Sequence, residues 1–537
     1  MHMLAVVPIV VNAGAAVLPA VVAAMASFAV ILLKPRELMR LLRRRKLAAG
    51  AVAGGLVVLV AGLCWWHSRS SVQHSRRNEA EQSGHVDWAK VAEDIIARER
   101  LRQSGAILAG TASGSSGELA TAPHPIDSGF QPLGGGDYSR TLATGGQSPV
   151  GLIPAWSFHP EATVFFCDPV IIGNRIYAAG CQPDLGAYTG LLTCLDLDTG
   201  KPIWQKTDDA NGPLRPFFSS PTLSKDGKYL FIGQGLHQDR DCSLLCYDTA
   251  TGEQVWAVKT PLHVESSPAV FGDIVVVGAG AIEGADGKAA GDPGFVLAVH
   301  IPDGKTLWKQ PVNDPESSPA IGDNGIVYIG SGLNGQAVVA IRSDTDEELQ
   351  KKKLNRVAWR TAVGQPMLGP ITLAGQAVIA AGGNGDMVHS SSNPQGLVVA
   401  LNQQDGKILW QASLPDAVLG SVASLDGKLI CPVRNGEVVA LAAGDGSVLW
   451  RARVSGQAPV LAGCAATKDR IYAVSNDGYL VALSTADGQV LEKFYLNDQS
   501  QPGTGLSMSS PQVVGNRIIV GSESGGLRCV QGNGGAQ

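Results

Sequence analysis

The stretches LDLDTGKPIW (195–204), YDTATGEQVW (247–256), VHIPDGKTLW (299–308), LNQQDGKILW (401–410) and LAAGDGSVLW (441–450) repeat one pattern: alternating apolar residues, a turn containing Gly, then three residues and a Trp. ALSTADGQVLE (482–492) keeps the frame with Glu492 in the Trp position, and VAIRSDTDEELQKKKLNRVAW (339–359) keeps the Trp but lengthens the turn and loses its Gly. From Trp204 the successive Trp residues fall 52, 52, 51, 51 and 40 positions apart. A period of this size marks a stack of supersecondary units.

Between these stretches lies a second recurring element, an apolar hairpin often opened by Ser-Ser-Pro. Its eight copies are 168–180, 219–233, 266–278, 317–330, 368–382, 420–433, 463–474 and 509–521. Each unit therefore reads as four short strands. The first two form a hairpin through a Gly/Asp/Asn turn, the third alternates as in VVALN, and the fourth ends on Trp. One such sheet cannot bury both of its faces, and radial stacking buries them in every unit at once. The predicted fold is an all-β, eight-bladed β-propeller of four-stranded antiparallel blades over 134–531, with a tail at 532–537. Trp156 precedes the first hairpin, and the eighth unit lacks a Trp strand. The strand at Trp156 is expected to complete the last blade and close the ring, beside the blade tryptophans Trp204, Trp256, Trp308, Trp359, Trp410 and Trp450.

Composition agrees with many tight turns. There are 66 glycines in 537 residues, only 17% charged residues and a net charge of -5. No basic stripe lies outside the N-terminal region, which excludes nucleic acid as the expected partner. No CxxC pair is present, which excludes zinc-ribbon, thioredoxin-like and c-type haem readings.

Ahead of the repeats, two apolar runs at about 4–33 and 47–66 flank KPRELMRLLRRRK (34–46). Each run is long enough to span a bilayer, and the basic loop predicts a two-helix transmembrane hairpin with 34–46 in the cytoplasm. The propeller then lies outside the cytoplasmic (inner) membrane, on its periplasmic side. Residues 67–133 read as a linker, flexible where Gly, Ser, Ala and Pro dominate, with a short amphipathic helix over 86–103.

The Trp-terminated repeat resembles the pyrroloquinoline-quinone-like (PQQ-like) β-propeller repeat of the quinoprotein-dehydrogenase/BamB-like superfamily. The resemblance covers 134–531, and GGGDYSRT (134–141) resembles the lead-in segment of such proteins. It implies the propeller fold but does not fix the activity. Quinoprotein dehydrogenases of alcohols or sugars use an adjacent cysteine pair, a calcium ion and a catalytic Asp. This chain has no adjacent Cys-Cys pair, so no catalytic residue is carried over and no cofactor is expected. PQQ with Ca2+ enters only under the dehydrogenase alternative.

The function expected is a non-catalytic, membrane-anchored scaffold of the cell envelope that holds a protein or peptide segment. A small-molecule or polysaccharide binding module is a further alternative. The face carrying the approach to each first strand and the loop between second and third strands is the expected binding face, lengthened in blades 1, 2, 3 and 5. Three positions before the repeat Pro, the funnel is expected to show Phe166, Phe218, Glu265, Glu316, Met367, Leu419, Ala462 and Met508. Glu265 and Glu316, with His263 and Asp314 close in sequence, are candidates to bind a cation or a basic peptide group. Their alternative is solvation or pairing with Arg215. Cys167 and Cys181, placed symmetrically about Asn174, are a candidate cross-strand disulfide. Cys194, Cys246 and Cys529 take the slot of Ala in VVALN and are expected to be buried.

Overall fold

The computed structural model describes residues 137, 140, 142–143 and 148–534, except 185–186, 210–211, 238, 282–292, 386–388 and 498–506. The expected membrane hairpin and the helix over 86–103 lie outside the described residues. Eight four-stranded antiparallel sheets follow one another in chain order. Blade 1 is typical, with Val170–Ile172 innermost, then Arg175–Asp184, Ala187–Asp196 and Pro202–Lys206 outermost. Blade 8 takes its first three strands from Gln512–Val514, Arg517–Ser522 and Gly526–Gly532, and its outermost strand from Leu152–Phe158. Trp156 pairs with Cys529, so the two ends of the ring close as the repeat count requires.

Each repeat residue has a place in this geometry. A small residue faces the Trp across the two outer strands: Cys194 opposite Trp204, Cys246 opposite Trp256, Ala298 opposite Trp308 and Ala400 opposite Trp410. The ladder shifts register just after each pair, a bulge that turns the strand end toward the next blade. The indole N–H then donates to a carbonyl in that blade's turn, as from Trp204 to Thr249 O at 3.1 Å and from Trp256 to Ile301 O at 2.7 Å. The turn glycine lies against the ring. At Gly252 (φ +70) an added Cβ would sit 2.5 Å from Trp204 Cδ2. The Gly of the repeat thus meets two demands, a left-handed backbone and room for the neighbouring indole. Burying each ring contributes about 2 kcal/mol.

The two irregular repeats show how the contact is replaced. In blade 4 the lengthened turn holds an α-helix, Asp346–Lys352, opened by a Thr345–Glu348 capping box. Arg356, paired to Asp346 at 2.5 Å, lies 4.7 Å from the Trp308 ring centroid and covers the indole where other blades present Gly. In blade 7, Glu492 takes the Trp position opposite Ala482. Its carboxylate accepts from Gly151 N and Leu152 N at 3.2 and 2.5 Å, fixing the start of the closing strand.

The Ser-Ser-Pro element joins blades around the central channel. The first hydroxyl donates to the next blade's carbonyl, from Ser219 to Ser266 O, Ser266 to Ser317 O and Ser317 to Gly369 O at 2.9–3.1 Å. The second accepts from the preceding blade, from Asp168 N to Ser220, Ser220 N to Ser267 and Ser267 N to Ser318. Asp168 Oδ1 takes the Ser510 N–H at 2.5 Å and completes the belt at the ring closure.

Arg140, Leu142 and Ala143 reach the inner ends of the blades. Ala143 bridges to Ala466 on the innermost strand of blade 7. Arg140, 2% exposed, donates to Pro319 O at 2.8 Å and to Ser267 O and Pro268 O at 3.0 and 2.9 Å. Burial raises the Asp168 carboxyl to about 7, against the opposing effects of Ser510 and Arg140. A carboxyl raised on folding stabilises most when protonated, so its contribution is full below pH ~4 and lost as pH climbs toward 7. Asp168→Asn is therefore expected to compare more favourably with the parent at pH 8 than at pH 5, read as the difference in chemical denaturation midpoints. An equal difference at both pH values would refute this.

The expected Cys167–Cys181 disulfide is not formed. The hairpin pairs Val170 with Tyr177 around a Gly173–Asn174 turn, which puts the symmetry point between those two residues rather than on Asn174. That register alone would set Phe166 opposite Cys181; the chain shifts by two residues before the hairpin, and Cys181 bridges Val164. Both thiols are free, and both donate to Phe217 O, at 3.3 and 3.5 Å. Burial pushes the Cys181 thiol up to about 12. Cys194, Cys246 and Cys529 are buried as expected.

Candidate functional site at the funnel rim

The hydroxyl ladder fixes which residues are equivalent at the rim. Because Ser317 bonds Gly369 O, Gly369 stands where other blades have their first Ser. The rim position of blade 5 is therefore Leu368, one residue beyond the expected Met367. Met367 is fully buried in the core between blades 4 and 5, packed with Tyr328, Ile371 and Val399. Blade 7 slips the same way. Gly463 N donates to Ser510 Oγ, which makes Leu461 the rim residue in place of Ala462. Pro370 does not sit in register with the Ser-Ser-Pro of other blades and blade 7 has no Pro at this point, so sequence alignment by the Pro cannot see the ladder.

Corrected in this way, the rim divides into three sectors. Leu368, Leu419, Leu461 and Met508 form an apolar cluster with Ala417 over blades 5 to 8. Phe166 and Phe218 of blades 1 and 2 meet with ring centroids 5.4 Å apart. Blades 3 and 4 contribute Glu265 and Glu316. The tertiary structure adds one residue that sequence reasoning missed. His237, between the second and third strands of blade 2, reaches the same point, and His237, His263, Glu265 and Glu316 bring their donor atoms within 4.8 Å of one another.

Each of the four is held by its local backbone. The blade 2 loop turns at Gly235 (φ +100), and Asp239 caps it by accepting from Leu236 N at 2.9 Å. His263 is fixed where Val264 N donates to Gln234 O and Gly280 N donates to His263 O. Glu316 Oε1 lies 3.1 Å from His237 Nδ1 and 2.9 Å from His263 Nε2. The two rings stand 5.2 Å apart. The partners of Glu316 are thus the two histidines rather than Arg215, which is exposed.

The two carboxylates diverge electrostatically. Burial pushes Glu265 up to about 7, with His263 opposing and Glu316 adding to the rise. Burial acts the same way on Glu316, but His237 and His263 outweigh it and hold the carboxyl well below its usual range. His237, Glu265 and Glu316 are half-buried and His263 is fully buried. The cluster suits a cation or a basic group. His237 carried no repeat signal, since it sits in a loop of irregular length. Its only mark in the sequence was a position in a loop on the same face as the rim residues.

These features define a PQQ-like repeat propeller with a built rim. The family model described as outer membrane protein assembly factor BamB matches residues 167–291, 292–392 and 394–537, and the chain belongs to that family. Over 204 residues it is 30% identical to the outer membrane protein assembly factor BamB of Burkholderia pseudomallei (strain K96243). That match covers 37% of this chain and 46% of the relative, so the chain spans about half the length of the curated relative it matches. Among solved structures, the quinohemoprotein alcohol dehydrogenase of Comamonas testosteroni superposes with a TM-score of 0.55 at 16% identity, covering 76% of this chain and 81% of that one. BamB from Moraxella catarrhalis superposes at 0.50 and 15% identity, covering 71% and 99%. At these identities the two structures share the fold with this chain and nothing finer.

Proposed function

We propose that this chain is a non-catalytic interaction scaffold of the cell envelope, held in the cytoplasmic membrane by the spans at 4–33 and 47–66, with the propeller on the outer side. The observation that carries the proposal is the divided rim. An apolar sector (Leu368, Leu419, Leu461, Met508) and an aromatic pair (Phe166, Phe218) share the rim with an acidic sector (Glu265, Glu316). A rim with apolar and acidic sectors suits an extended peptide bearing apolar and basic side chains. Membership in a family described as an assembly factor supports the same reading.

The quinoprotein alternative fits the rim poorly. PQQ is a tricarboxylate and needs cations and donors around it. The charged sector offers two carboxylates, Arg434 is paired with Asp416 at 2.6 Å, and the Arg140 guanidinium is committed to three backbone carbonyls. No step through that cofactor is derived.

The experiment places a photo-crosslinking amino acid at Phe218 or Met508 of the full-length protein in its native membranes, with exposed Glu253 on the outer edge as the comparison. Discrete protein adducts from the two rim positions and none from Glu253 are the expected result. Adducts independent of position, or none at the rim, would remove the scaffold reading.

A further inference from the structure

We infer that His237, His263, Glu265 and Glu316 form a binding site for one divalent transition-metal ion of the zinc type, clamping the blade 2 loop to blades 3 and 4. This goes beyond the scaffold reading and does not depend on it.

Geometry comes first. Zinc binds imidazole nitrogen and carboxylate oxygen at about 2.0–2.2 Å in a tetrahedron, so ligand atoms in a loaded site stand roughly 3.3–3.5 Å apart. The two pairs through Glu316 Oε1 already stand at 2.9 and 3.1 Å, and no donor pair exceeds 4.8 Å. Side-chain rotation covers the remaining difference without backbone movement.

Charge and donor type point the same way. Two carboxylates with two neutral imidazoles carry a charge that one dication cancels. Two nitrogen donors disfavour calcium and magnesium, which take oxygen, and favour zinc and its first-row neighbours.

Two further observations concern the walls of the site. His263 is fully buried and turns its Nε2 toward Glu316, so that nitrogen is the one offered to the ion. Gly280 lies against the cluster. A Cβ there would strike His263 Nε2 and come within 2.8 Å of Glu316 Oε1. The backbone of blade 3 therefore leaves space at the point where the donors converge.

The test strips full-length protein with a chelator and titrates it with Zn2+ against a fluorescent zinc indicator, with bound metal counted by elemental analysis. Thermal melts with and without Zn2+ accompany the titration. His237→Ala and Glu316→Gln are compared with the parent, and Glu253→Gln serves as the remote control. Expected are one equivalent of zinc at micromolar affinity or tighter, millimolar Ca2+ failing to displace it, and a zinc-dependent rise in Tm. Each site variant should weaken binding at least tenfold and lose the rise in Tm, while Glu253→Gln keeps both. His237 lies in a loop, and Glu316→Gln preserves shape, so both variants are expected to fold, and their metal-free melts report it. Absence of zinc binding by the folded parent, or equal binding by the two site variants, would overturn the site.

Discussion

Replacing Gly252 with alanine is expected to destabilise the propeller by about 3 kcal/mol, whereas the same change at Gly375 costs about 1 kcal/mol. Both glycines are in the left-handed region, at φ +70 and +58, so both substitutions carry the same kind of backbone penalty. They differ in what the new methyl meets. At Gly375 nothing lies within 4 Å. At Gly252 the Cβ would sit 2.5 Å from Trp204 Cδ2 and 2.8 Å from Cε3. Trp204 would have to retreat, loosening its bond to Thr249 O and its packing against Tyr177. Because six of the eight blade junctions are made through this Gly–Trp contact, the loss bears on the ring. Chemical denaturation of the two variants side by side decides the matter. Equal costs would mean that the indole contact contributes nothing and that the repeat Gly serves only its turn.

Arg140→Ala is expected to cost about 4 kcal/mol, the larger of the two effects, and Arg140→Lys about half of that. The guanidinium donates three bonds to carbonyls of blades 3 and 4 in the middle of the channel. Hydrogen bonds to a charged donor contribute about 1.5–3 kcal/mol each, and their sum is offset by the burial that lowers the Arg140 pKa to about 10. Alanine leaves those carbonyls without a donor. Lysine restores a charge but not the planar fork that reaches two blades at once. The backbone at Arg140 is itself strained, at φ +56, a conformation that persists only where surrounding contacts hold it. Equilibrium denaturation in guanidinium checks the order parent, Lys, Ala. A midpoint unchanged in the alanine variant would show that water serves the carbonyls equally well.

Much of the architecture was legible in the residues. Eight hairpins, the Trp spacing and the unpartnered strand at Trp156 predicted eight blades and the closure that pairs Trp156 with Cys529. The small residues in the Cys194 and Cys246 slots were legible as well, since alternation along a strand assigns each position to a face. At the rim, Phe166, Phe218, Glu265, Glu316 and Met508 stand where the repeat placed them, and His263 lies beside the two carboxylates.

The misses were one-residue slips and loop geometry. Met367 for Leu368 arose because Pro370 was taken as the ruler, and Ala462 for Leu461 because blade 7 has no Pro at this point, while the hydroxyl ladder between blades sets the register. A slip of one moves a side chain from the funnel to the core. Cys167 and Cys181 are free thiols that share the Phe217 carbonyl, and the shift by two residues that sets Val164 opposite Cys181 lies before the hairpin, where no repeat reports it.

The sequence by itself therefore determined what is periodic: strand order, blade count, the Gly–Trp contact and the closure of the ring. Periodicity reports local alternation and neighbouring blades, which repeat with the chain. Only the tertiary structure decided what is singular. It brought His237 from a blade 2 loop onto Glu316, sent Arg140 across the channel to Pro319, and put Arg356 over Trp308 where the glycine was missing. Those contacts join positions 79, 179 and 48 residues apart along the chain. No repeat encodes them, because each depends on where a non-repeating segment comes to rest on the finished ring.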